Sequence, residues 1–292
     1  MSYNVLSDDL MKRHRNLYNQ TSDLLDWELR WERILKEIEQ YSPDILCFQE
    51  VQCDHYTTHF IPNLSALNFV GLFKKRTGDK DDGCAIFYNK NKFILEDFAQ
   101  VEYHQPYVNT LNRDNIALIG KFRPVKSYPI KDERDNHINT GVNANCDTFI
   151  VATTHLLYNP KRQDVRLAQI ALLFAELDRF AFKSLYDLEI RPPRSRQEYF
   201  YPCILTGDFN LNPDSPIYNF ITDGYIDYGT LSSDKNRSFL PISLGIADSC
   251  QHLGVILSRC QSFLTTNNAN QIEGTCIYSG RTEVIFSHEW LR

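Results

Sequence analysis

The sequence predicts a single α/β domain, on three observations. Two long stretches carry apolar residues at helical spacing, several short runs are rich in β-branched and aromatic residues, and neither a fixed-period repeat nor an interdomain linker divides the 292 residues. A chain of this length can bury a large core in one domain. Hydrophobic residues make up 42% and charged residues 23%, which excludes an intrinsically disordered chain. The formal charge of −6 argues against a protein that coats nucleic acid through bulk positive charge. It leaves open an enzyme that meets phosphates locally with a metal ion.

Taken in order, the first helix is predicted over Asp23 to Tyr41. Leu24, Trp27, Trp31, Ile34, Leu35 and Ile38 recur at steps of three and four, and Glu28, Arg30, Arg33 and Lys36 lie between them. Ser42-Pro43 ends it, and Asp44 to Phe48 reads as a short apolar strand. Further strands are predicted at Cys84–Tyr88, Ile116–Phe122 and Thr148–Thr154. The polar, turn-rich span from Lys126 to Asn145 reads as a solvated loop, and Asn267 to Gln271 as a second polar patch. A second helix is predicted from Asp164 to Phe182, with Leu167, Ile170, Ala171, Phe174, Leu177 and Arg179 spaced along one face. Pro202 to Thr206 then reads as another buried strand.

The eight cysteines include no C-x-x-C pair, so neither a zinc site nor a redox motif is signalled. Cys47 and Cys203 lie in apolar runs, where a free thiol packs as a small core residue. No leader and no apolar run of membrane-spanning length is visible, so no membrane partner is expected, and the expected location is cytoplasmic, with the nucleus as the alternative. His55 and His59 are four apart but lack an intervening glutamate, so a surface pair is expected rather than zinc ligands.

Four strand-like segments end in polar residues: Met1–Asn4, Leu46–Glu50, Val151–His155 and Ile204–Asn210. Ligand sites of α/β folds form where loops leave the carboxyl ends of strands. Converging strands would bring an amide, two carboxylates and an imidazole to one rim, a set suited to a hard cation and phosphoryl oxygens. Singly, each signal is weak. Gln49-Glu50 alone reads more readily as a solvated turn than as a site, and His155 more readily as a satisfied, partly buried histidine than as a catalytic one. Gly207-Asp208-Phe209-Asn210 says more, because glycine permits an unusual backbone angle and sets an acid and an amide two residues apart.

In this order, Ser2-Tyr3-Asn4, Leu46 to Val51, Thr154-His155-Leu156 and Gly207-Asp208-Phe209-Asn210 resemble the endonuclease/exonuclease/phosphatase superfamily. Arg76-Thr77-Gly78, Asp82 to Ile86, Arg113-Asp114-Asn115, His155 to Pro160 and Pro213 to Ile221 are similar to its nocturnin-like, poly(A)-shortening branch, and most of all to the angel proteins. The resemblance implies a four-layer α/β sandwich, with two mixed β-sheets face to face and helices outside. It implies a magnesium-dependent phosphoric ester hydrolase acting on RNA 3′ ends, with manganese as an alternative ion. Two reactions stay open: 3′-to-5′ exoribonuclease action of the deadenylase kind, and 2′,3′-cyclic phosphatase action. Protein complexes associated with mRNA are implied as partners. Carried over by position, Glu50 would hold the metal, with Asn4 beside it or acting through water. Asp208 would orient or deprotonate the attacking water, Asn210 would hold the phosphoryl group, and His155 would donate to an oxygen gaining charge. Asn115 and Asn159 would line the substrate groove.

Two departures bear on this expectation. The chain begins inside the first motif strand, and the family's late aspartate-tyrosine and serine-aspartate-histidine motifs have no clear counterpart in Thr275 to Ser287 or in Ser287-His288-Glu289. Residues 1–292 are therefore expected to form one domain, truncated at both ends. The alternative function is a catalytically defective relative that binds RNA or protein.

Overall fold

Two four-stranded sheets organise the described residues. The computed structural model describes residues 1–18, 22–125, 148–184, 200–227 and 275–277. The first sheet contains β1 (Ser2–Asn4), β2 (Ile45–Gln52), β3 (Phe69–Lys75) and β4 (Asp82–Asn89) in the order β1-β2-β4-β3. The second contains β5 (Phe93–Glu102), β6 (Ile116–Pro124), β7 (Phe149–His155) and β8 (Cys203–Asp208) in sequential order. Each sheet has one parallel pair, β1 with β2 and β7 with β8, and is otherwise antiparallel. A short antiparallel ribbon joins β9 (Tyr225–Asp227) to β10 (Thr275–Ile277).

The helices are α1 (Asp8–Arg13), α2 (Ser22–Leu25), α3 (Trp27–Tyr41), α4 (Cys53–His55), α5 (Ile61–Ala66), α6 (Gln163–Ala181) and α7 (Pro216–Asp223). Three apolar clusters define the layers. Trp27, Trp31, Ile34 and Ile38 of α3 pack on Leu46, Phe48 and Phe87 of the first sheet. Cys47, Ile86, Leu118, Phe122 and Val151 pack between the sheets. Ala117, Ile119, Ala152 and Leu205 face Leu167, Ile170 and Phe174 of α6. Adjacent residues such as Leu46 and Cys47 enter different clusters because strand side chains alternate faces. The result is the expected sandwich of helix, sheet, sheet and helix.

Several elements differ from the sequence reading. The predicted helix Asp23–Tyr41 is two helices, because Asp26 leaves helical geometry and its carboxylate caps the N–H groups of Glu28 and Leu29. Leu24 is consequently exposed. Helix α6 is buried on most of its circumference rather than on one face, since α7 covers it beyond the sheet, with the Phe174 and Phe220 rings 5.5 Å apart. Arg179, expected on the buried face, is exposed and pairs with Glu176. Strands β3 and β5 gave no clear signal because they are edge strands, and an edge tolerates charged residues such as Glu96 and Asp97. His55 and His59 are not a free surface pair. His55 stacks on Trp27 at 4.1 Å, and His59 contacts Glu28 at 2.9 Å and the Thr58 hydroxyl at 2.7 Å. The spans 126–145, 267–271 and 278–289 lie outside the described residues.

Cys47, Cys84 and Cys203 are buried free thiols, as expected for Cys47 and Cys203. Burial pushes all three thiol pKa values up, Cys203 to about 12. A raised value leaves almost no thiolate at pH 8, so iodoacetamide at that pH should spare these three cysteines in the native protein and label them after unfolding. Peptide mapping checks this, and native labelling of Cys84 would contradict the packing between the sheets.

Candidate active site

The two parallel pairs place four strand ends along one rim. In the first sheet Asn4 lies opposite Gln49, and the pairing of β2 with β4 slips between Phe48 and Val51. Glu50 sits at that irregularity in the left-handed region, at φ +58°. In the second sheet the last pair of β7 and β8 is His155 with Asp208. The pair before it is Thr154 with Gly207, where φ is +146° and a Cβ would collide with the Thr154 carbonyl oxygen. Only glycine lets β8 approach β7 this closely and deliver Asp208 beside His155.

Gln49 is buried between the sheets, and its Nε2 donates to Thr153 Oγ1 of the opposite sheet at 2.9 Å. Above this tie the two rims meet through Asn4. Its Nδ2 donates to Glu50 Oε1 at 2.9 Å and to Asp208 Oδ2 at 2.8 Å. Its Oδ1 accepts the Leu6 N–H at 2.9 Å, which assigns the direction of the amide. Ser7 N–H donates to the second oxygen of Glu50 at 3.1 Å. His155 Nε2 stands 3.6 Å from Asp208 Oδ2 and 4.0 Å from Glu50 Oε1. Asp208 is the most open of the three ionisable side chains, at 30% exposure against 13% for Glu50 and 11% for His155. It is therefore the carboxylate best placed to meet water.

Asn210 belongs to the same turn. Its N–H donates to Asp208 Oδ1 at 3.0 Å, its φ is +51°, and its side-chain Nδ2 donates to the Leu156 carbonyl at 3.0 Å. Asn115 packs inward. It is buried behind His155, donating to the His155 carbonyl at 2.9 Å and accepting from Gln169 Nε2 at 3.1 Å. Asn159 is exposed in the loop after β7, where its Oδ1 accepts the Lys161 N–H at 3.0 Å. Asn4 meets the site as a donor to both carboxylates, with its carbonyl oxygen committed to Leu6.

Sequence reasoning missed Gln169 and Arg30. A glutamine amid the apolar residues of α6 is a usable signal, because a buried amide needs partners, and Gln169 Oε1 also accepts the Leu157 N–H at 3.1 Å. Arg30 gave none, since it occupies a polar position of an amphipathic helix. Burial lowers its guanidinium pKa, an effect opposed by Asp8, then Asp26, Tyr18 and Glu50. Burial also raises the Tyr18 phenol pKa, with Glu50 adding to the shift.

Among the described residues no three His, Cys, Asp or Glu side chains form a ready metal cage. Magnesium does not require one. It retains waters and binds through one or two carboxylates together with substrate phosphates. Glu50 and Asp208, both turned toward a single amide nitrogen, fit that pattern.

The sequence pattern of the Endonuclease/Exonuclease/phosphatase family matches residues 1–271. The chain belongs to this family. Within it, Protein angel homolog 1 of Homo sapiens is 37% identical over 270 residues, covering 87% of this chain and 37% of that protein. Protein angel homolog 2 of Danio rerio is 39% identical over 267 residues, covering 86% and 42%. Protein angel of Drosophila melanogaster is 33% identical over 285 residues, covering 96% and 71%. The chain thus spans less than half the length of the two vertebrate relatives.

Solved structures share the fold, two of them as follows. ANGEL2, described as a 2′,3′-cyclic phosphatase and crystallised with adenosine-2′,3′-vanadate, superposes with a TM-score of 0.71 at 33% identity, covering 95% of this chain and 72% of that one. The human Nocturnin catalytic domain with bound sulfate gives 0.52 at 26% identity, covering 82% and 74%. These place the chain in the nocturnin and angel branch of the family.

The close approach at Gly207 gives a direct test of the rim. Gly207→Ala should lower stability by about 2–4 kcal/mol, from backbone strain plus displacement of β8. Thermal melting checks it, and an unchanged Tm would show that β8 does not need glycine there.

Proposed function

We propose that this chain is a metal-dependent phosphoesterase acting on RNA 3′ ends, and that its reaction is hydrolysis of a terminal 2′,3′-cyclic phosphate. The observation that carries the reading is the junction of Glu50, Asp208 and His155 around the Asn4 amide at the shared rim of both sheets. The greater likeness to ANGEL2 than to Nocturnin favours the cyclic phosphate over stepwise exonuclease action.

The chain's own residues divide the work as follows. A water oxygen bonds to phosphorus, and its proton passes to Asp208, the more exposed carboxylate. The bond from phosphorus to one ribose oxygen breaks, and that oxygen takes a proton from the His155 imidazole. A second hydrolysis of the resulting monoester releases inorganic phosphate and leaves a 2′,3′-diol. Asn210 has two amide hydrogens. Leu156 takes one, and the other is available to a phosphoryl oxygen. Magnesium or manganese at Glu50 would supply positive charge to the phosphoryl oxygens.

The substrate test uses two RNAs in magnesium or manganese, one ending in a 2′,3′-cyclic phosphate and one a 3′-hydroxyl oligo(A). Loss of only the terminal phosphate from the first is expected. A ladder from the second would replace the phosphatase reading with the exonuclease one, and no change in either would end the hydrolase reading. Asp208→Asn should lower the single-turnover rate by at least about 100-fold with RNA affinity retained or improved, because a proton acceptor is removed and a charge facing phosphate is lost.

Glu50→Gln keeps side-chain volume and removes charge. The manganese concentration for half-saturation should rise by about tenfold or more, with melting nearly unchanged. Equal manganese affinity in the two proteins would remove Glu50 from the metal site.

A further inference from the structure

Arg30 lies on α3, outside every motif that carries the family resemblance. Its Nη1 donates to two successive carbonyls, Val5 at 2.8 Å and Leu6 at 2.7 Å, and its Nε donates to the Leu25 carbonyl at 3.0 Å. Asp8 Oδ1 stands 3.6 Å from Nη2, and the guanidinium carbon is 5.1 Å from the centre of the Trp27 ring. A planar fork anchored on several sides holds what it touches in a fixed direction. What it touches is a strained turn. Leu6 has φ +56°, a conformation that costs a leucine free energy. The Leu6 N–H donates to Asn4 Oδ1, and the left-handed conformation aims the next N–H, of Ser7, at Glu50 Oε2.

We propose that Arg30 is a positioning residue for the carboxylate pair. By holding the Val5 and Leu6 carbonyls it keeps Leu6 left-handed, and the two N–H groups of that turn orient Asn4 and Glu50. With the Asn4 carbonyl oxygen satisfied by Leu6, its Nδ2 is the end left to face Glu50 and Asp208. Arg30 touches none of the reacting groups and acts through the backbone of residues 5–7. Its effect on rate rests on the phosphoesterase reading, whereas its hold on the turn does not.

Arg30→Lys keeps the charge but exchanges the planar fork for a single flexible ammonium. Amide hydrogen exchange reads the turn directly. Protection at Leu6 and Ser7 should fall by about tenfold or more, while amides of β2 and β4 keep theirs. With the cyclic-phosphate RNA, kcat should fall by about 10- to 100-fold and KM should change by less than about twofold, the signature of lost alignment rather than lost binding. Leu6→Asn in the same chain should restore part of both exchange protection and kcat, because asparagine adopts the left-handed conformation at lower cost. Arg30→Gln with Leu6→Asn serves as a second pair should the lysine variant melt at much lower temperature.

Unchanged protection at Leu6 and Ser7 would overturn the proposal even if activity fell. Uniform loss of protection across the first sheet, with no rescue by Leu6→Asn, would also overturn it and leave Arg30 as general packing. Loss of protection with wild-type kcat would refute the catalytic consequence. If the wild-type protein hydrolyses neither RNA, the phosphoesterase reading fails, and the exchange and rescue measurements still decide whether Arg30 holds the turn.

Discussion

Two carboxylates that sit 158 positions apart in the sequence must be held side by side at the edge of a protein, and the device that holds them is one amide nitrogen. Glu50 and Asp208 both accept hydrogen bonds from Asn4 Nδ2. Two ionised carboxylates that share one donor repel each other. Hydrogen bonds to charged acceptors are among the stronger ones and offset part of that repulsion. A divalent cation there would meet an oxygen from each carboxylate. A metal and a phosphate would use the same arrangement.

Strand direction delivers these groups. Each sheet is mostly antiparallel, yet each contains one parallel pair, and those pairs are the ones that end in Asn4 beside Gln49 and in His155 beside Asp208. Parallel neighbours end on the same side, so four chain segments reach one rim. Gln49 then ties the sheets beneath the site through Thr153, which restrains the sheets from sliding past one another below the carboxylates. Shared burial of Cys47, Ile86, Leu118 and Val151 provides the non-directional part of that attachment, and the glutamine adds its geometric register.

Unusual backbone angles recur at the same rim. Leu6, Glu50 and Asn210 are all left-handed, and Gly207 takes an angle that side chains avoid. Such positions cost of order 1–3 kcal/mol each and persist only where the surroundings hold them. The surroundings here are identifiable. Arg30 grips the turn at Leu6 from α3, and Gln169 reaches from α6 through Asn115 to the His155 carbonyl. Helices on opposite outer layers thus each brace one half of the site.

By itself the sequence determined the class of fold and named the candidate site residues. Trp27, Trp31, Ile34 and Ile38 at helical spacing, the apolar runs of β2, β4, β6, β7 and β8, and polar residues at strand ends are local patterns written in consecutive residues. Glu50, His155, Asp208 and Asn210 were legible because each stands directly after such a run. Strands β3 and β5 were not, since an edge strand need not be apolar, and the break at Asp26 was hidden inside continuous periodicity. Only the tertiary structure decided how the named groups are placed. It turned the Asn4 amide nitrogen toward the carboxylates, buried Asn115 behind His155, and recruited Arg30 and Gln169 from helices whose sequences mark them only as polar residues. Those roles depend on partners 24 to 204 positions away, and a hydrogen bond between distant residues leaves no periodic trace in either segment.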